Sequence, residues 1–201
     1  AGSTDIGLWV NKQFRDLGEV IYLGEVAELK AITTADGVLT IGAGASLQAA
    51  WAALATHWPA TREMGLRFAS LPVREAGTMG GNVANGSPIG DSAPVLIALG
   101  ASIVLRLGAQ QRRMPLQDFY LDYMQNQLQP GEFVEAITVP LPGPSELLRV
   151  DKLSKRYDCD ISGLSAGLWL RLQGGVVADA RFAFGGLAGI VKRAAGAEAA
   201  V

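Results

Sequence analysis

The sequence contains one cysteine, Cys159, and one histidine, His57. A single thiol excludes an internal disulfide framework, a cysteine-rich zinc site and an iron–sulfur cluster held by this chain alone. A chain without disulfides is expected in the cytoplasm. His57 stands near the end of an expected helix, where an imidazole usually serves structure or meets solvent, and it is given no role. A large excess of charge of one sign is missing too. The formal net charge is −2, so neither nucleic acid nor a membrane surface is an expected partner. No apolar run reaches the roughly 18 residues of a membrane span. No Gly-x-x-x-x-Gly-Lys-Ser/Thr run occurs. No Gly-x-Gly-x-x-Gly opens a helix after a strand with an acidic residue about 20 positions on. P-loop and Rossmann phosphate sites are therefore not expected.

What is present is glycine, and it is concentrated. The stretch from Ser70 to Asp91 holds Gly77, Gly80, Gly81, Gly86 and Gly90, interleaved with Thr78, Asn82, Asn85, Ser87 and Asp91. Glycine lets backbone N–H groups approach a bulky anion. Successive N–H groups in such turns form an anion-binding concavity. The stretch reads as a loop that wraps a phosphate-bearing cofactor. A glycine-rich connection with no ligand is the plainer reading of the same residues.

The run Ala76-Gly-Thr-Met-Gly-Gly-Asn-Val-Ala-Asn-Gly-Ser-Pro-Ile-Gly-Asp91 closely resembles the second FAD-binding segment of the molybdenum hydroxylase flavoproteins. That family includes the FAD domain or subunit of xanthine dehydrogenase, aldehyde oxidase and carbon monoxide dehydrogenase. The resemblance is strongest to the small subunit of a bacterial xanthine dehydrogenase. It implies an α+β chain with a two-subdomain FAD-binding fold of the non-Rossmann, vanillyl-alcohol-oxidase (PCMH) type. That domain is expected over residues 1–142, with subdomains of roughly 1–37 and 38–142. The start of a smaller α/β C-terminal domain is expected over 146–201, after the proline-rich linker 140–144. Both ends look cut, so the chain reads as a fragment of a longer one.

The implied FAD contacts follow residue by residue. Ala1, Gly2, Ser3, Thr4, Asp5 and Ile6 match the later half of the family's first FAD segment; alone, they read as a helix-capping turn. Thr78, Met79, Gly80, Gly81 and Asn82 match the second segment, their N–H groups taking the pyrophosphate. Phe68 matches an aromatic ahead of the glycine run. Asp91 matches an FAD-contacting aspartate and is also a good N-cap. Phe133 and Val134 match residues against the flavin ring, and Lys152 an FAD-binding lysine. Arg156, Asp158 and Cys159 lie in a segment that crosses the flavin near its redox edge. No catalytic side chain and no metal ligand is expected.

Elsewhere the pattern predicts strands at 19–23, 29–32, 37–42, 101–107 and 132–140. It predicts helices at 47–56, 64–68, 91–100 and 117–123, and one from about Lys192. The charged stretch 149–162 reads as a solvated loop. A hairpin is expected over 163–184, turning at Gly174 and Gly175.

The resemblance implies a function in electron transfer. FAD would take electrons from [2Fe–2S] clusters and pass a hydride to NAD⁺, while purine hydroxylation occurs at a molybdopterin centre outside this chain. An iron–sulfur domain and a molybdopterin-binding subunit would be partners in a hetero-oligomer. Two alternatives stay open: another molybdenum hydroxylase of the aldehyde oxidase or carbon monoxide dehydrogenase type, or a nucleotide-binding assembly module without redox chemistry.

Overall fold

A computed structural model describes residues 2–201. The chain runs α1 (Ile6–Asn11), β1 (Ile32–Ala35), β2 (Val38–Gly42), α2 (Leu47–His57), α3 (Arg62–Arg67), α4 (Leu71–Ala76), α5 (Met79–Asn85) and α6 (Ser92–Ala98). It continues through β3 (Ser102–Leu107), β4 (Gln110–Pro115), β5 (Tyr120–Asp122), β6 (Gln125–Asn126), β7 (Phe133–Pro140) and β8 (Glu146–Leu153). It ends in β9 (Leu164–Gln173), β10 (Val176–Gly185), β11 (Lys192–Arg193) and α7 (Ala195–Glu198). Among the described residues no helix is long and apolar enough to cross a membrane.

Two antiparallel sheets carry the fold. The first has the order β1-β2-β7-β3-β4 and the second β11-β10-β9-β8. Alternation of apolar and polar residues sets the register of the first sheet. Ile32, Ile41, Ile137, Ile103 and Met114 face one another in one row across all five strands. Ile41, Ile103 and Ile137 are fully buried.

Helix α6 lies between that sheet and the next. Every residue of its Ser-Ala-Pro-Val-Leu-Ile-Ala run is buried, as expected of a helix apolar on all sides. Full burial of a side chain such as Leu96 or Ile97 contributes about 1.5–3 kcal/mol. Against the second sheet the backbones almost touch: a Cβ on Gly167 of β9 would lie 2.8 Å from the Pro94 carbonyl and 2.9 Å from the Ala98 Cβ. One buried cluster includes Ile41 and Ile137, α6, and Trp169 and Ala183 of the second sheet.

Several sequence expectations fail for definable reasons. Residues 19–23 form no strand: Val20, Ile21 and Tyr22 stay exposed, so their apolar pattern has no sheet to join. The stretch expected as a strand at 29–32 is a 3-10 turn, Ala27–Lys30, before β1. The Leu29 carbonyl accepts from Gly44 N–H at 2.7 Å, which draws the chain off the strand path. The helix expected at 117–123 is a 3-10 turn followed by the β5–β6 hairpin. The charged stretch at 149 begins as β8, paired along its length with β9. The C-terminal helix starts only at Ala195, because Lys192 and Arg193 pair with β10.

Candidate functional site

The glycine-rich stretch is helical rather than a loop. Helices α4 and α5 meet at Gly77 and Thr78. Thr78 is the N-cap of α5, its hydroxyl accepting from Gly81 N–H at 3.1 Å. Gly86 ends the helix in the left-handed region at φ 64°, the conformation that favours glycine. Met79 and Val83, one turn apart, fix the buried face.

In this geometry the backbone N–H groups of 79–82 already have partners within the protein. Met79 N–H is given to Ala45 O and Gly80 N–H to Ala43 O, each at 3.0 Å. Gly81 N–H is held by the Thr78 side chain, and Asn82 N–H by Thr78 O at 2.9 Å. The two glycines serve different ends. A Cβ on Gly80 would lie 2.3 Å from the Ala43 Cβ and 2.6 Å from its Cα, so Gly80 lets α5 sit on the segment after β2. A Cβ on Gly81 would meet only the Thr78 hydroxyl, at 2.8 Å. Beyond it lies open space.

That space belongs to two adjoining cavities. One, of about 690 Å³, is bordered by the N-terminal turn Gly2, Ser3, Thr4, Asp5 and Ile6, by Trp9 of α1, and by Asn82 and Asn85 of α5. The other, of about 620 Å³, is bordered by Ala43, Gly44 and Ala45 after β2, by Gly80, and by Phe133 and Val134 at the start of β7. Gly2, Thr78, Gly81 and Ala84 line both. Each volume is in the range of small-molecule sites. Gly2 is seated tightly at the junction, where a Cβ would collide with the Ala76 carbonyl.

Four expected site residues line neither cavity. Met79 is fully buried in the core, because its side chain anchors α5. Phe68 packs beside Trp51, ring centroids 6.2 Å apart. Asp91 and Lys152 line neither cavity. They form a buried ion pair, Lys152 Nζ to Asp91 Oδ2 at 2.6 Å, with side chains only 2% and 5% exposed. Ser162 Oγ donates to the other Asp91 oxygen at 2.5 Å. The carboxylate is thus committed to these partners and makes no side-chain cap on α6. Ala1 lies outside the described residues.

The electrostatics stiffen the second cavity. Glu132, on its wall, takes two hydrogen bonds from Arg112, Nε at 2.6 Å and Nη2 at 2.7 Å. This guanidinium, with the Gln129 N–H, pulls the Glu132 carboxyl down to about 2. Tyr120 gives its hydroxyl to Val83 O at 3.0 Å, and Asn126 its amide to Ala84 O at 2.9 Å. Together they hold the C-terminal carbonyls of α5. Burial pushes the Tyr120 phenol well above its ordinary value. No group of three acidic, histidine or cysteine side chains that could hold a metal occurs among the described residues.

Sequence reasoning did not single out Trp9, Met124 and Asn126 on the first cavity, or Ala43, Gly44 and Ala45 on the second. The run of small residues after β2 was a usable signal, since it marks where another backbone comes close. Trp9 and Met124 carried none, because the fold alone brings them together.

Residues 1–142 match the family described as FAD binding domain in molybdopterin dehydrogenase. Residues 150–201 match the one described as CO dehydrogenase flavoprotein C-terminal domain. A xanthine dehydrogenase of Emericella nidulans is 29% identical over 211 residues, 98% of this chain and 16% of that protein. The carbon monoxide dehydrogenase medium chain of Afipia carboxidovorans is 32% identical over 122 residues, 61% of this chain and 42% of that one. Carbon monoxide dehydrogenase from Hydrogenophaga pseudoflava, solved without its Mo-pyranopterin moiety, superposes with a TM-score of 0.93 at 26% identity. That superposition covers 100% of this chain and 70% of the other. The chain spans about one sixth of the xanthine dehydrogenase it matches. With more than half its length in one match, it belongs to the family of FAD-binding domains of molybdopterin dehydrogenases and runs on into the C-terminal domain of the CO dehydrogenase flavoproteins.

Proposed function

We propose that the two adjoining cavities hold one FAD, with its pyrophosphate where they meet, between Gly2–Asp5 and Gly81. The carrying observation is the contrast between the glycines: Gly80 is filled by protein, whereas Gly81 faces open space. Bound FAD supplies the redox chemistry, accepting electrons and passing them on. The chain's own residues bind and orient it. The Gly2–Asp5 turn offers backbone donors, and Asn82 and Asn85, three apart on α5, offer carboxamides from one helix face. Phe133 and Val134 offer an apolar wall to the second cavity. Asp91 and Lys152 act from behind as a buried pair that fixes the start of α6. In this reading residues 1–142 form the FAD-binding domain and 146–201 the start of the C-terminal one.

The fuller reading is a xanthine-dehydrogenase-like flavoprotein segment that passes electrons from [2Fe–2S] clusters to NAD⁺ during purine oxidation. An iron–sulfur domain and a molybdopterin-binding subunit are its partners, in the cytoplasm. The similarity to xanthine dehydrogenases over nearly the whole chain supports it. A carbon-monoxide-dehydrogenase-type flavoprotein is the second reading, favoured by the 0.93 TM-score to that enzyme.

An absorption spectrum of the intact protein with its partner subunits tests both. Bleaching of a flavin band by xanthine and its return with NAD⁺ is the result expected of the first reading. Bleaching by carbon monoxide and not xanthine selects the second. A protein without flavin absorption refutes the FAD reading itself.

A further inference from the structure

Trp9 is the one tryptophan outside the buried core; Trp51, Trp58 and Trp169 are all buried. It stands on α1, one turn beyond the Gly2–Asp5 turn, and lines the first cavity. The Arg15 guanidinium lies over one face of its indole, 5.2 Å from the ring centroid. Arg15 lines the same cavity. One face of the ring is therefore occupied by a cation, which leaves the opposite face for a flat partner. The thioether of Met124 is on the same cavity wall, held by a backbone at φ 53°. Thioethers and indoles both pair well with aromatic rings. Asn82 and Asn85 add carboxamides that make no side-chain hydrogen bond among the described residues, and each can both donate and accept. Asn126 is different: its amide is committed to Ala84 O and its oxygen to Leu128 N–H. It shapes the wall, with one N–H and one lone pair already engaged within the protein.

We propose that Trp9, with Met124, is the stacking platform of the first cavity, and that it takes a flat heteroaromatic ring of the bound dinucleotide against its indole. The inference rests on the FAD reading and goes beyond it, by assigning the ring contact to side chains outside both glycine segments. The chemistry that recognises the ring is an aromatic face plus carboxamide edges. Both the isoalloxazine and the adenine of FAD answer to it.

The test uses the intact protein freed of its flavin and reconstituted with FAD. Removing a stacked aromatic weakens ring binding roughly 5- to 150-fold. Trp9→Leu is expected to raise the FAD dissociation constant by that factor and to brighten the emission of bound flavin if the isoalloxazine is the stacked ring. Trp9→Phe, which keeps an aromatic face, is expected to restore most of the affinity. Thermal melting of the flavin-free Trp9→Leu protein is expected to match the parent, since Trp9 belongs to no core cluster. Titration with FMN and with ADP separates the two rings: the ligand whose affinity falls in Trp9→Leu carries the stacked one. Unchanged affinity for FAD, FMN and ADP in a folded Trp9→Leu protein overturns the platform. A parent protein that takes up no FAD overturns the cofactor reading instead.

Discussion

Gly80 and Gly81 are neighbours on one helix, yet their substitution by alanine is expected to do opposite things. At Gly80 the new methyl meets the Ala43 Cβ at 2.3 Å and the Ala43 Cα at 2.6 Å. Both are fixed by the end of β2, so helix and strand must move apart. Overpacking of this kind costs about 1–3 kcal/mol. For a chain of this size each kcal/mol lowers Tm by about 2–4 °C, so a fall of roughly 2–12 °C is expected. At Gly81 the methyl meets only the Thr78 hydroxyl, at 2.8 Å. Turning that hydroxyl away weakens the N-cap, worth about 1 kcal/mol. Alanine recovers about as much through its helix propensity. Gly81→Ala should therefore melt close to the parent while binding FAD less well. The assay pairs thermal melts of the flavin-free proteins with FAD titrations of the same samples. If Gly81→Ala melts as low as Gly80→Ala, or if Gly80→Ala melts with the parent, the assignment of one glycine to packing and the other to the ligand is wrong.

Gly81→Val should leave a folded protein without flavin, because a branched side chain fills the junction of the two cavities; normal flavin content measured by absorption removes Gly81 from the site. Tyr120→Phe removes one of two donors to the Val83 carbonyl, the Gly86 N–H being the other, and should cost about 0.5–1.5 kcal/mol in denaturant unfolding. Burial raises the Tyr120 pKa, so the stability held by its neutral phenol is full below the unfolded value of 10.0 and lost as pH climbs above it. Alkaline titration at 295 nm should then show the Tyr120 phenol ionising only as the chain unfolds. The depressed Glu132 carboxyl has the opposite sign: its support is complete above the unfolded value of 4.5 and disappears as pH falls through about 2. Glu132→Gln should flatten the acid limb of a stability profile, and an unchanged limb refutes the Arg112 clamp. Arg67 holds Tyr157 O at 2.7 Å and lies over the Tyr157 ring at 4.8 Å. Arg67→Ala should speed amide exchange across 155–160 with little change elsewhere.

The sheet was readable where alternation coincided with burial. The strands expected at 37–42, 101–107 and 132–140 are β2, β3 and β7; burial alternates along β2 and most of β3, whereas 136–139 of β7 is buried on both faces. The helix expected at 47–56 was also legible, and Ser46 opens it by accepting from Ala49 N–H at 3.1 Å. The same signal misled at 19–23, because alternation says a segment could cover a sheet and not that a sheet is there. The glycine stretch was legible as the centre of the site but not as two helices. Glycine density suggests a loop by propensity, whereas Thr78, Met79, Val83 and Gly86 supply cap, core face and stop. Lys152 and Asp91 are 61 residues apart. No local pattern announces that each will neutralise the other.

Helix α6 gives the chain an unexpected indivisibility. It is encoded before the 140–144 linker, yet the strand that meets it most closely, through Gly167, is encoded after it. A chain shortened at that linker keeps all of the glycine segment and both cavities. It also presents to water an apolar groove cut to the shape of a missing sheet. Such a piece would seek cover from its own copies, so turbidity or a shifted elution volume would report the loss long before any spectrum of the cofactor did.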